Sequence, residues 1–169
     1  MGWPSLRWIL NPKESDFSPA VEIVKLFLGK GLDINQAYET NKVKETALDA
    51  AMDAGLTEAA KILIDNGAKV KDEDKAQWTA LTWAVRKKQL PVAQVLIEKG
   101  SDVDHKDAQG TPLLHNAVSN GDIEMVRLLI AKGANVKAKD QYSLTPLVYA
   151  LQAKKTEIIK MLKDAGGNY

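Results

Sequence analysis

The apolar residues of this chain recur in short blocks, and a glycine follows each block. Within a block the large aliphatic side chains fall at helical spacing and the fourth residue is polar, which predicts one amphipathic helix per block. The predicted helices cover residues 22–28, 58–64, 91–97, 124–130 and 157–163. The glycines that follow them are Gly31, Gly67, Gly100, Gly133 and Gly166. Because glycine adopts the left-handed backbone that commonly ends a helix, these positions predict five helix ends.

The glycines are separated by 36, 33, 33 and 33 residues, a period that indicates stacked copies of one small unit. Upstream of four of these blocks lies a second, shorter helix signal that starts near a threonine and ends in alanine. These signals cover residues 46–51, 79–84, 111–117 and 145–150. Threonine is a good N-cap, and a small alanine lets two helices approach closely. Each copy is therefore predicted to be a helix pair whose apolar face is buried only by stacking on its neighbours.

The best-conforming copy runs from Asp107-Ala-Gln-Gly110, through Thr111-Pro-Leu-Leu-His115, to Gly133-Ala-Asn-Val136. It resembles the ankyrin repeat, whose leading Asp recurs at Asp74 and Asp140. The resemblance covers about residues 20–169 and implies an all-α ankyrin-repeat solenoid of stacked helix pairs with projecting hairpin fingers and a concave face. We expect a single domain over residues 1–169, with an N-terminal half-repeat cap at 1–38. The expected repeats are 39–71, 72–104, 105–137 and 138–169.

Several positions depart from the repeat. The first finger, residues 35–45, carries three extra residues, because Gly31 and Thr46 are 15 positions apart where later copies need 12. In the third copy the pair Thr111-Pro112 is shifted one place toward the N-terminus, which predicts a local adjustment of the helix start. Lys163 replaces an aliphatic residue and is expected to face solvent at the C-terminal end. The apolar residues expected to cover the N-terminal end are Trp3, Trp8 and Leu10.

The composition excludes several function classes. Lysine and arginine total 23 against 22 acidic residues, so the net charge of +1 gives no general attraction to nucleic acid or to an anionic membrane. There is no cysteine, and no stretch approaches 18 consecutive apolar residues. We therefore expect a cytoplasmic protein that binds neither nucleic acid nor membrane, needs no cofactor and is a monomer when free.

Few residues are candidates for a catalytic or metal-binding role. His105 lies in a finger and is expected to be exposed, and Asp102, Asp104 and Asp107 form an acidic tract around it. The tract lacks the loop spacing of a calcium site. His115 occupies the histidine position of the repeat, and the resemblance implies that its imidazole hydrogen-bonds nearby backbone and orders the turn. We therefore expect no catalytic residue, no metal site and no enzyme.

The resemblance implies that a partner is bound by the finger tips and by the inner face of the first helices. The residues carried over to those positions are Lys42, Trp78, Trp83, Arg86, Lys87, Gln109, Tyr142, Leu144 and Tyr149. Aromatic residues and arginine are common interface anchors. The alternative is that Trp78 and Tyr142 pack on neighbouring fingers, and that Trp83 and Tyr149 fill the gap between adjacent first helices.

Charge along this face is uneven in the sequence. Asp49 and Asp53 mark the first full repeat, whereas Arg86, Lys87 and Lys88 mark the second. Such a distribution would steer a partner of complementary charge, and the alternative is an ordinary solvated helix surface.

The sequence therefore favours a non-catalytic module that binds a protein partner on its concave face and finger tips. A narrower alternative is an inhibitor or immunity protein that blocks an enzyme or a toxin. The alternatives from other classes are a metal-binding or enzymatic protein and a structural spacer that self-associates.

Overall fold

The computed structural model describes residues 18–31, 33–40, 43–70 and 79–168. The chain divides into two compact units, residues 1–70 and 71–169, and each is described by itself. The single domain and the repeat boundaries expected from the sequence stay predictions. Six of the residues singled out above lie outside the described part of the chain: Trp3, Trp8, Leu10, Lys42, Asp74 and Trp78.

The first unit contains three helices and a two-stranded hairpin among its described residues. They are α1 (Ser18–Gly29), β1 (Tyr38–Thr40), β2 (Val43–Glu45), α2 (Ala47–Asp53) and α3 (Thr57–Asp65). The strands are antiparallel, with Tyr38 opposite Glu45 and Thr40 opposite Val43. The long first finger predicted from the sequence thus takes the form of a β-hairpin.

The helices of the first unit pack around α3, which contacts both α1 and α2. Val24, Leu48, Ala60 and Leu63 are buried in their shared core. Outside the core, the Asn35 side chain joins the segment after α1 to the segment after α3. Its Nδ2 donates to the Gly67 carbonyl at 3.3 Å, and its Oδ1 accepts from the Lys69 N–H at 2.8 Å.

The described residues of the second unit form three helix pairs. They are α4 (Ala80–Arg86), α5 (Leu90–Glu98), α6 (Leu113–Asn120), α7 (Ile123–Ala131), α8 (Pro146–Gln152) and α9 (Thr156–Asp164). The first helices pack side by side in the order α4, α6, α8, and the second helices pack in the order α5, α7, α9. Each first helix also packs on the second helix of its own pair. The predicted all-α stack of helix pairs is therefore confirmed.

The residues that recur between copies form the core of the second unit. Ala84, Ala117 and Ala150 are fully buried, as expected for the alanine that ends each first-helix signal. A leucine three positions before each alanine is buried as well: Leu81, Leu114 and Leu147. Burying one leucine side chain contributes roughly 1.5–3 kcal/mol, so this repeated layer is a major source of stability.

The helix ends follow the predicted glycine pattern. Gly100, Gly133 and Gly166 have φ values of 85°, 90° and 86°, in the left-handed region that a side chain disfavours. Lys163 is exposed, as predicted for the C-terminal end. Within the described ranges, no helix has the length and apolar character needed to cross a membrane.

The helix starts follow the threonine pattern only in part. Thr46 and Thr79 are N-caps whose hydroxyls accept hydrogen bonds from Asp49 and Thr82 N–H groups. In the third copy, where the shifted Thr-Pro pair predicted a local adjustment of the helix start, the N-cap of α6 is Pro112 rather than Thr111. Thr145 is the N-cap of α8, but its hydroxyl donates to the Asn168 carbonyl at 2.7 Å.

Candidate functional site

The candidate site lies on the side of the second unit formed by its first helices. We define the first-helix face as the solvent-accessible sides of α4, α6 and α8 together with the turns that end them. Its residues are Trp83, Arg86, Lys87, Lys88, Asn116, Ser119, Asn120, Tyr149, Gln152 and Lys154. None of these side chains is fully buried, because the alanines and leucines of the same helices occupy the core side.

Polar side chains join α4 to α6 across this face. Arg86 Nη1 donates to Asn116 Oδ1 at 3.2 Å, and Asn120 Nδ2 donates to the carbonyls of Val85 and Arg86 at 3.3 and 3.4 Å. The last carbonyls of a helix have no partner within the helix, so the Asn120 amide satisfies two of them on α4. These bonds hold the C-terminal ends of the two helices side by side.

Lys87 is held over an aromatic ring on the same face. Its Nζ lies 5.7 Å from a ring centroid of Trp83, one helical turn earlier. A cation–π contact of this kind contributes about 0.5–1 kcal/mol at an exposed site. Trp83, Arg86 and Lys87, which the sequence analysis predicted to share a binding face, are therefore close together in the structure.

A lysine joins α6 to α8. Lys155 Nζ donates to the carbonyls of Val118 and Ser119 at 2.7 and 2.9 Å, at the C-terminal end of α6. A cation is favourable there because the helix dipole places partial negative charge at this end. The C-terminal ends of α4, α6 and α8 are thus aligned along one edge of the first-helix face.

The finger of the third repeat is a turn organised by one carboxylate. Asp107 is buried, and its Oδ1 accepts from the N–H groups of Gln109 and Thr111 at 3.1 and 2.9 Å. Its own N–H donates to the Thr111 carbonyl at 3.2 Å, which closes the turn. Gln109, predicted as a tip residue, is exposed on this turn.

The finger of the fourth repeat has the same turn with an additional anchor. Asp140 Oδ1 accepts from the N–H groups of Tyr142 and Leu144 at 2.9 and 3.0 Å. Its Oδ2 accepts from the Tyr149 hydroxyl of α8 at 2.5 Å. The finger is therefore fastened to the first helix of its own repeat.

These hydrogen bonds move the pKa values of both groups. Burial raises the pKa of the Asp140 carboxyl, but the bonds donated by the Tyr149 hydroxyl and by the Leu144 and Tyr142 N–H groups outweigh it and hold the pKa below its ordinary value. The bond to Asp140, together with burial, raises the pKa of Tyr149 to about 12. Tyr149 is thus neutral near pH 7, and its hydroxyl acts as a fixed donor.

The aromatic candidates divide into an exposed group and a packed group. Tyr142 is 68% exposed, the most exposed large hydrophobic residue among those described. Trp83, Leu144 and Tyr149 are half-buried. The Tyr149 ring meets His115 edge-on, with centroids 5.5 Å apart. Tyr149 therefore packs between neighbouring repeats, which supports the alternative interpretation of this residue.

His115 is a structural residue in this geometry. Its Nε2 donates to the Leu144 carbonyl at 2.9 Å, which joins α6 to the finger of the next repeat. Burial lowers the pKa of His115 more than the Leu144 bond and the Asp140 charge raise it, and Lys106 lowers it further. The imidazole is neutral near pH 7, and its buried Nδ1 has no hydrogen-bond partner in the described part of the chain.

The acidic tract forms backbone hydrogen bonds. Asp102 Oδ1 accepts from the Asp104 N–H at 2.9 Å, and Asp104 Oδ1 accepts from the Asn135 N–H of the next connector at 2.8 Å. His105 is half-buried, so the expectation that it is exposed is wrong. Among the described residues, no three His, Asp or Glu side chains are grouped so that they could hold a metal ion.

Lys154, which was not predicted as a site residue, adopts an unusual backbone conformation. Lys88 and Lys154 have φ values of 57° and 53°. They occupy the same place in their repeats as Gly55 and Gly121, which have φ values of 71° and 66°. The positions 55, 88, 121 and 154 are 33 residues apart, so the exchange of glycine for lysine could have been found from the sequence.

The comparison with known families agrees with this architecture. The family model for ankyrin repeats, which describes three copies, matches residues 17–107 and again residues 102–169. A search of curated proteins finds no significant match.

Proposed function

This chain belongs to the ankyrin repeat family, and we propose that it binds a protein partner through the first-helix face and the tip of its last finger. Ankyrin repeats are generally protein–protein interaction modules, and the family is typically non-catalytic. The geometry supports the same role here, because the His115 imidazole and the carboxylates of the acidic tract bind backbone groups. The proposal therefore assigns this protein a binding role rather than a catalytic one.

The proposal rests mainly on Tyr142, whose side chain is exposed while its backbone is held in place. Its side chain is 68% exposed, yet its backbone is held by Asp140, which is itself held by Tyr149. Aromatic residues at interfaces supply large contact area for few rotatable bonds. A fixed backbone reduces the entropy that is lost on binding. Tyr142 thus has the properties of a pre-organised anchor.

The first-helix face offers polar and charged groups that complement this anchor. Asn120 and Lys155 fix the spacing of α4, α6 and α8, so the exposed groups between them are held on a rigid support. Trp83 and Arg86 add an aromatic surface and a planar donor, which are frequent in interface hot spots. Such a face fits a partner that lies across three repeats.

Affinity capture tests this proposal. The full chain is immobilised, an extract of the native source is passed over it, and the retained proteins are identified and quantified by mass spectrometry. We expect a retained protein whose amount falls at least about tenfold with the variant Trp83→Ala/Tyr142→Ala, since hot-spot residues each contribute about 1–2 kcal/mol or more. If that protein is an enzyme that loses activity when bound, the module acts as an inhibitor.

A matched control is available in the first unit. Leu26 is 58% exposed, so Leu26→Ala removes a comparable exposed apolar side chain that is not part of the proposed face. We expect Leu26→Ala to retain the partner as the parent does. Equal retention by the parent and by Trp83→Ala/Tyr142→Ala would contradict the proposal.

A further inference from the structure

We propose that the first-helix face binds an acidic, extended segment of its partner protein through a row of cations at the helix ends. This inference rests on the proposed function and adds the chemistry of the partner. We define the basic edge as the cations in and after the C-terminal turns of α4 and α8. Its residues are Arg86, Lys87, Lys88, Lys154 and Lys155.

The charge on this side of the second unit is strongly one-sided. Within the segments 80–89, 113–122 and 146–155, the five cations of the basic edge accompany one acid, Asp122. Asp122 accepts from the Met125 N–H at 3.1 Å as the N-cap of α7. Its carboxylate therefore caps the second helix of the same pair.

The opposite side of the same repeats has a balanced charge. The second helices and the residue that follows each, segments 90–99, 123–132 and 156–165, carry acids and bases in nearly equal number: Glu98, Glu124, Glu157 and Asp164 against Lys99, Arg127, Lys132, Lys160 and Lys163. Arg127 forms ion pairs with Glu124 and with Glu157 at 3.6 and 3.4 Å. The excess of positive charge therefore belongs to the first-helix side and not to the unit as a whole.

The backbone of the basic edge provides an independent argument. Lys88 and Lys154 both adopt positive φ at a position where Gly55 and Gly121 stand in the other repeats. A side chain is disfavoured in this conformation, so a lysine there weakens the fold relative to glycine. Strained positions of this kind cluster at functional sites. Because both exposed lysines stand at the same disfavoured position, we infer that their positive charge has a role in binding.

The spacing of the basic edge sets the length of the segment that it fits. α4 and α8 are separated by α6, and packed helices lie about 8–10 Å apart, so Lys88 and Lys154 are roughly 20 Å apart. An extended chain covers that distance with about six residues. Between the lysines lie the uncharged Ser119 and Asn120 of α6, together with the Lys155 ammonium, which already binds carbonyls of α6. The best fit is an extended segment with acidic residues near both ends.

An acidic protein segment fits better than a nucleic acid. The chain as a whole has a net charge of +1, and nucleic acid binding depends on a larger basic excess that neutralises many phosphates. The cations of the basic edge are few, and Lys155 is partly used by the carbonyls of Val118 and Ser119. A short segment with a few carboxylates matches this number of cations.

A peptide titration on the full chain tests the inference. The probe is a fluorescein-labelled peptide of about twelve residues with glutamates at both ends of a six-residue spacing. The same peptide with glutamine in place of glutamate is the neutral probe, and a single-stranded thymidine oligonucleotide of similar length is the nucleic acid probe. We expect the glutamate peptide to bind most tightly and its affinity to fall as salt is raised.

The variant Lys88→Gly/Lys154→Gly separates charge from folding. Glycine suits the positive φ at both positions, so the fold is kept while two cations are lost. We expect this variant to bind the glutamate peptide about tenfold more weakly than the parent. The control Lys132→Ala/Lys160→Ala removes two exposed lysines from the second-helix side and should bind as the parent does.

Three results would overturn the inference. They are equal binding of the glutamate and glutamine peptides, unchanged glutamate-peptide binding by Lys88→Gly/Lys154→Gly, and tighter binding of the oligonucleotide than of the glutamate peptide. Failure here is distinguishable from failure of the proposed function. A captured partner that depends on Trp83 and Tyr142 but not on Lys88 and Lys154 would preserve the protein-binding role and remove only the acidic segment.

Discussion

The third and fourth repeats, residues 107–131 and 140–164, share one framework and differ in what they expose. Both begin with a buried aspartate that closes the finger turn, and both place a leucine and an alanine in the core of the first helix. Five of the differing pairs at matched positions are Gln109 and Tyr142, His115 and Val148, Asn116 and Tyr149, Gly121 and Lys154, and Asp122 and Lys155. Shared positions thus determine the fold, and differing positions determine which aromatic and charged groups reach the surface.

The largest expected effect concerns the two finger aspartates. Asp140 accepts from two N–H groups and the Tyr149 hydroxyl, whereas Asp107 accepts from two N–H groups. Removing a carboxylate leaves these donors without their partner, at roughly 1–3 kcal/mol for the group. We expect Asp140→Ala to lower the free energy of unfolding by about 3 kcal/mol and Asp107→Ala by about 2 kcal/mol. Urea unfolding followed by circular dichroism measures both.

Tyr149→Phe is the control for this difference, because it removes only the hydroxyl bond to Asp140. With Phe at position 149, the costs of Asp140→Ala and Asp107→Ala should become similar. An equal cost of the two aspartate variants in the parent would show that the Tyr149 anchor does not stabilise the fourth finger.

The next effect concerns the residue with positive φ after the first helix, which is Gly121 in the third repeat and Lys154 in the fourth. Gly121 has φ of 66°, and a Cβ there would lie 3.1 Å from Lys155 Nζ. Gly121→Lys should cost about 2 kcal/mol, from the disfavoured backbone and from displacement of Lys155 from its carbonyls. Lys154→Gly should instead raise stability by about 0.5 kcal/mol, since the relieved strain of about 1 kcal/mol exceeds the added entropy of the unfolded chain.

The same unfolding experiment checks the two substitutions. A loss of stability in Lys154→Gly comparable to that in Gly121→Lys would mean that Lys154 makes a contact whose stabilising effect exceeds the backbone strain.

The sequence was sufficient to predict the framework, because the residues that recur every 33 positions are those that pack or end helices. Gly100, Leu114 and Ala117 follow directly from that rule. The contacts between repeats could not be predicted in the same way. Arg86 reaches Asn116, and Lys155 reaches Val118, because two non-matching positions happen to face each other across neighbouring helices. Periodicity carries no information about such pairs.

The candidate site could be predicted only as a set of positions. Trp83, Arg86 and Lys87 lie together as expected, and Tyr142 is exposed. Tyr149, in contrast, donates a hydrogen bond to Asp140 and packs against His115. Exposure depends on the neighbouring repeat, and the sequence of one repeat does not specify it. The exchange of glycine for lysine at Lys88 and Lys154 was present in the pattern, but its meaning depends on the positive φ.

The smallest of the three stability effects is a pH dependence specific to the third repeat, since Val148 replaces His115 in the fourth. Burial lowers the pKa of His115, so below about pH 6.5 the unfolded chain binds a proton that the folded chain does not. Stability is therefore expected to fall as the pH is lowered from 7 to 5.5. Chemical unfolding at both pH values measures this slope.

His115→Gln should be less stable than the parent at pH 7 but should lose less stability on acidification. A parent-like slope in His115→Gln would assign the pH dependence to other groups.

The central claim is that the partner is held by the face that differs between repeats. The most direct measurement is the dissociation constant of the captured partner for the parent, for Trp83→Ala/Tyr142→Ala and for Leu26→Ala, by isothermal titration calorimetry. The account predicts a constant at least about a hundredfold larger for the first variant, from two anchors at about 1.4 kcal/mol each, and no change for the second. Equal constants for all three proteins would contradict it.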